Sequence, residues 1–75
     1  MGKIDWERLG RAFSLRVSAT AGSKINLARS MGLTRPTFYR VTWGQPLDAE
    51  TFLTVCDWLG ESPNAFRVKE TAHDL

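Results

Sequence analysis

Arg35, Pro36, Thr37 and Arg40 stand close together in this chain, and their side chains share one kind of chemistry. An arginine fork donates two parallel hydrogen bonds to a pair of acceptors. On the guanine edge in a DNA major groove such a contact is worth about 1–3 kcal/mol of discrimination. Pro36 has no N–H to donate, but its ring can lie on a thymine methyl. Thr37 can offer a methyl to the same group, or its hydroxyl to a base or phosphate. Ser23, Lys24, Thr34, Tyr39 and Gln45 add hydroxyls, an ammonium and an amide suited to phosphate oxygens. Contacts of that second kind fix register and do not read sequence.

The elements that must position these groups are legible around them. Leu27, Ala28 and Met31 form an apolar stripe, Gly32 breaks the helix that carries it, and Leu33 plugs the turn beneath. Thr34 can cap a new helix, with Pro36 in its first turn where the missing N–H costs nothing. Phe38 and Val41 hold that helix to a core, and Gly44 is its left-handed terminator. The pattern predicts helix 2 after Ser23, a tight turn, and helix 3 from after Thr34 to near Trp43, a helix-turn-helix whose polar face is free to enter a groove. The free N–H groups of helix 2, with Ser23 and Lys24, form an anion site. Arg29 on helix 2 is a further phosphate candidate, with a solvated place on that helix as its alternative. Pro36 has helix initiation as its alternative role, and a solvated helix face is the alternative for Arg35 and Arg40.

Helix 1 is predicted over residues 4 to about 17. Asp5 is its N-cap, Ile4 packs as a staple on Leu9, and Trp6, Leu9, Phe13 and Val17 form its stripe. Residues 18–22 are small and unpatterned and read as a connector. Asp48 caps a helix 4 that buries Phe52, Leu53, Cys56 and Leu59 and stops at Gly60. Ser62 caps a short helix 5 from 63 to about 68, and residues 69–75 read as a frayed tail carrying a solvated His73. The fold class is all-α, a five-helix bundle in a single domain, with its core at about 4–68 of residues 1–75. Cys56 reads as a buried small hydrophobe, with a redox sensor as the alternative. Trp6 and Trp43 are assigned to the core, with a place beside DNA the alternative for Trp43.

Composition narrows the function classes. Residues 1–45 carry eight basic side chains against Asp5 and Glu7, a net of +6. Residues 46–75 carry two against six acids, a net of −4, and together these give the chain's +2. A basic half beside an acidic half suits a domain that meets a polyanion on one side. One Cys and one His cannot build a disulfide framework or a zinc site. There is no nucleophile–base pair or phosphate loop, so no enzyme and no cofactor or metal is expected. No apolar run approaches the ~18 residues of a membrane span, and no signal pattern follows Met1; a cytoplasmic protein is expected.

The succession Leu27-Ala28, residues 31–35, Phe38, Val41, Gly44, then Asp48 to Leu53 and Leu59-Gly60-Glu61-Ser62-Pro63 resembles the lambdoid phage repressor and Cro-type DNA-binding domain, the Xre-like family of bacterial and phage regulators. The match covers roughly residues 23–66. The sequence departs from that family at Lys24 (commonly Gln), Thr42 (commonly Glu), Gly22 (commonly Leu) and Phe38 (commonly Ile or Val). The resemblance implies a lambda-repressor-like bundle, bacterial or phage-encoded and nucleoid-associated, that binds double-stranded DNA at an inverted repeat as a homodimer. In relatives the dimer contact involves helix 5, so Val55, Trp58, Phe66 and the tail are the expected dimer surface, with ordinary packing of helix 5 on helix 4 as the alternative. A transcriptional regulator, most simply a repressor, leads. RNA polymerase or a partner regulator is a further partner. A DNA-bending recombination or excision factor, and an adaptor that has lost DNA binding, are the competing functions.

Overall fold

The computed structural model describes residues 3–68, which comprise four α-helices and one 3-10 turn. They are α1 (Trp6–Ala19), α2 (Lys24–Met31), α3 (Arg35–Thr42), α4 (Ala49–Leu59) and the turn Pro63–Phe66. The described residues are thus all-helical apart from a single antiparallel bridge between Ile4 and Arg67. The predicted fifth helix is a 3-10 turn that stops at Phe66 rather than near residue 68. The tail from 69 to 75, with His73, lies outside the described residues.

Local sequence explains the helix ends. The Asp5 carboxylate accepts from the Arg8 N–H at 3.1 Å, and the Ser23 hydroxyl oxygen accepts from the Asn26 N–H at 3.1 Å. At the end of α2, Gly32 takes φ +76°. There the Leu33 N–H reaches back to the Ala28 carbonyl at 2.8 Å, closing orphan acceptors that a residue with a Cβ would satisfy only under strain. Asp48 stands at the N-cap of α4, where the Thr51 side chain holds its carboxyl below the ordinary range.

Helix 1 begins two residues later than its sequence pattern suggests, for a tertiary reason. The Asp5 N–H donates to the Phe66 carbonyl at 2.7 Å, and the Val68 N–H donates to the Lys3 carbonyl at 2.7 Å. Residues 3–5 therefore run extended against the segment after the 3-10 turn. The Arg8 guanidinium donates to the Ala65 carbonyl and lies 5.7 Å from the Phe66 ring centroid, closing the same seam.

The core draws on every helix: Leu9, Phe13 and Val17 from α1, Ala28 from α2, Phe38 and Val41 from α3, Phe52, Val55, Cys56 and Leu59 from α4, with Phe66 beneath. Phe13 sits edge-on to Phe38 at 5.1 Å, and Trp6 edge-on to Phe52 at 5.5 Å. On α4 the buried position predicted for Leu53 belongs to Val55. Leu53 is 49% exposed, because α4 is turned to set Val55 and Phe52 inward.

One contact sets how α3 is held. Gly10 of α1 is buried against the end of α3; a Cβ there would lie 2.8 Å from the Val41 carbonyl oxygen and 3.1 Å from the Gly44 nitrogen. Gly44, at φ +72°, faces back on the Glu7 Cα. The two backbones meet through paired glycines, with nothing between them that could rotate aside.

Candidate nucleic-acid interface

The basic residues divide by what their heads are doing. Arg16 donates to the Leu59 carbonyl at the last residue of α4 (3.4 Å) and covers the Trp58 ring at 5.8 Å, so it neutralises a helix C-terminus. Arg8 closes the terminal seam in the same manner. Arg11 pairs with Glu7 at 3.8 Å on the surface, a contact of little energetic weight. Among the described residues that is the only ion pair. Lys3 and Arg67 are exposed on the terminal seam, Arg67 donating to the Asn64 side-chain oxygen at 3.4 Å, and Lys24, Arg29, Arg35 and Arg40 are exposed together on α2 and α3.

Both of those helices present their positive ends. α2 opens with Lys24 and α3 with Arg35, and neither has an acidic residue in its first turn, whereas α1 has Glu7 and α4 has Glu50 there. A cation at a helix N-terminus opposes the macrodipole by about 0.3–1 kcal/mol. An arriving anion reverses that cost. The caps are polar: Ser23 serves α2, and Thr34 Oγ1 accepts from the Thr37 N–H at 3.4 Å and meets the Thr37 hydroxyl at 2.9 Å. Thr34 and Thr37 are therefore already engaged with each other, while the Ser23 hydroxyl, which accepts from the Asn26 N–H, retains its proton to donate.

On α3, Phe38 and Val41 point inward, which turns Pro36 and Arg40 outward. Arg35 and Arg40 are separated by about 140° around the helix, so they serve different surfaces. Arg40 belongs to the outer strip with Pro36. Arg35 lines a groove of about 260 Å³ between α2 and α3, together with Lys24, Arg29 and Tyr39 and the apolar Ile25, Ala28, Leu33 and Phe38. Thr37 and Tyr39 are half-buried. The Gln45 N–H closes α3 on the Arg40 carbonyl at 3.1 Å, and its exposed side chain follows the helix end.

The assignment of Trp43 to the core is corrected: it is 70% exposed. Its ring stacks on Tyr39 at 5.9 Å and 26°, extending the outer strip of α3 by one aromatic step. Its place three residues after Arg40 and seven after Pro36 puts it on the polar face, a signal present in the sequence. Arg29, a phosphate candidate with solvent as its alternative, is exposed and is a third cation on the groove.

The expected dimer surface is also corrected. Val55 is fully buried and Phe66 is 4% exposed, both inside this protomer. Trp58 is half-buried, packed on Phe13 at 5.3 Å beneath Arg16. The three residues join the 3-10 turn to α4 and α1, which is ordinary packing. Cys56 is buried as predicted, and burial, followed by Asp57 and Glu61, pushes its thiol up and away from thiolate chemistry.

No family model, curated protein or solved structure matches the chain. Among the described residues no three His, Cys, Asp or Glu side chains are grouped to hold a metal ion, and no helix is long and apolar enough to cross a membrane.

Proposed function

We propose that this protein is a sequence-specific double-stranded DNA-binding regulator of transcription, most simply a repressor, with α2–turn–α3 acting as a helix-turn-helix in a lambda-repressor-like bundle. The observation that carries the reading is the set of four exposed cations on α2 and α3, beside two helix N-termini that lack acidic residues. In this reading α3 enters the major groove. Arg40 reads a base edge, with Pro36 and Thr37 on neighbouring methyls, and Arg35 serves the flank nearest α2. Ser23, Lys24, Thr34, Tyr39 and Gln45 meet the phosphates.

The reading includes a pair of protomers on an inverted repeat, with α3 helices about 34 Å apart on one face of the DNA. Val55 and Phe66 are not available to join them. Selection of binding sites from random duplex DNA, followed by titration of the winner at two salt concentrations, tests the whole proposal. Recovery of a defined site whose affinity falls steeply with salt supports it. No binding to any duplex at low salt removes the regulator and the DNA-bending alternative together, and leaves an adaptor.

A further inference from the structure

The chain carries two exposed surfaces that complement each other. One is the groove between α2 and α3: its lining is apolar at Ile25, Leu33 and Phe38 and cationic at Lys24, Arg29 and Arg35, with no carboxylate among the residues that line it. The other is the outer face of α4. Glu50, Leu53 and Asp57 lie at i, i+3 and i+7, so one helical face presents an apolar side chain between two acids. All three are exposed, and Glu61 follows beyond the helix end. Leu53 is the one large apolar side chain that α4 leaves outward. Groove and ridge cannot meet within one protomer, since Val55 and Cys56 anchor α4 in the core by its opposite face.

We infer that the α4 ridge of one copy docks in the α2–α3 groove of a second copy, Leu53 against the apolar lining and Glu50 and Asp57 against the three cations. The contact is head-to-tail. Each copy uses its ridge on one neighbour and its groove on another, a heterologous association that extends beyond a dimer into a ring or an open chain. Its attraction is largely between partly solvated charges and weakens with salt. The groove includes Lys24 and Arg35, so a docked copy covers part of the surface assigned to DNA. That regulatory consequence rests on the DNA-binding reading, whereas the contact itself does not. Free protein would store its cationic face against a neighbour's acidic one, and DNA would compete for it.

Sedimentation of the intact chain up to about 1 mM, where even a weak contact populates its complex, measures the association. Comparing about 20 mM with about 300 mM salt tests its electrostatic part. The wild type should associate at low salt and fall apart at high salt. A ridge variant (Glu50→Gln, Leu53→Ser, Asp57→Asn) and a groove variant (Arg29→Ala, Arg35→Ala) should each lose association by at least about tenfold. All five positions are exposed, and circular dichroism checks each fold. Leu53→Ser alone serves if the triple variant unfolds. Mixing the two variants should restore one intact contact and give a 1:1 dimer that grows no further. A monomeric wild type, variants that associate as the wild type does, or a mixture that stays monomeric overturns the inference. A duplex of about 20 base pairs supplies the separate check. Duplex binding without self-association sinks this inference alone; self-association without duplex binding sinks the DNA reading alone.

Discussion

Gly10→Ala offers a sharp test of how α3 is oriented. Taken alone, the substitution should stabilise the protein, because an interior helical glycine costs roughly 0.5–1 kcal/mol relative to alanine. The structure predicts the opposite sign. The new Cβ would lie 2.8 Å from the Val41 carbonyl oxygen, 3.1 Å from the Gly44 nitrogen and 3.2 Å from the Gly44 Cα. All three are backbone atoms, so α1 and the end of α3 must separate. Overpacking of that kind costs typically 1–3 kcal/mol. Setting the propensity gain against it leaves a net loss centred on ~1 kcal/mol and reaching about 2.5 kcal/mol. For a domain of this size that lowers Tm by roughly 4–8 °C per kcal/mol. Thermal and urea unfolding followed by circular dichroism measure the loss, with the exposed Ser18→Ala as a control expected within about 0.5 kcal/mol. On the proposed DNA-binding function, duplex affinity should fall as well, because α3 moves. A Gly10→Ala protein as stable as the wild type, or more so, would falsify the close crossing and with it the account of how α3 is held.

Further outcomes follow from the same structure. Arg40→Ala should relax specificity at one base position, whereas Lys24→Ala should weaken all sequences alike; equal loss on every sequence for Arg40→Ala removes its reading role. Trp43→Ala should change stability by no more than about 0.5–1 kcal/mol, since most of the ring is already in water, while Phe13→Ala should cost about 3–5 kcal/mol by opening the centre of the core. Denaturant titrations of the two variants check the contrast. The Cys56 thiol should resist a disulfide reagent in the folded protein and react on unfolding, at a rate set by opening; rapid reaction under native conditions would contradict its burial. Asp48 has a folded pKa below its ordinary 3.8, so its contribution is present above that value and is lost as pH falls through the lower folded one. Asp48→Asn should flatten the acid limb of the stability curve below about pH 4, and an unchanged limb would show that Thr51 does not hold the carboxylate.

Much of the α2–α3 segment was legible because its signals are local. Ser23, Thr34 and Gly32 act through hydrogen bonds a few residues away, and the inward positions of Phe38 and Val41 follow from helical spacing. The outward turn of Arg40 and Pro36 follows in turn from those two residues. The same spacing marks Trp43 as outward, although its large apolar ring alone would favour the core. The division of the basic residues was not legible. Arg8 and Arg16 contribute to the +6 of the first half, yet their guanidiniums close carbonyls of segments far along the chain. Charge counted by position cannot separate those from the free cations of α2 and α3.

The amino-acid order by itself therefore determined the helices, their caps and which residues of α3 remain free to meet a ligand, since caps and apolar stripes operate within one or two turns. Tertiary structure decided the rest. It chose Val55 over Leu53 for the interior, because the two lie on opposite sides of α4 and only the side that also carries Phe52, Cys56 and Leu59 is turned to the core. It set residues 3–5 against the segment after the 3-10 turn through backbone hydrogen bonds that no side-chain pattern announces. It also gave Gly10 its role, for a glycine inside a helix marks a close crossing only once the neighbouring backbone is in place.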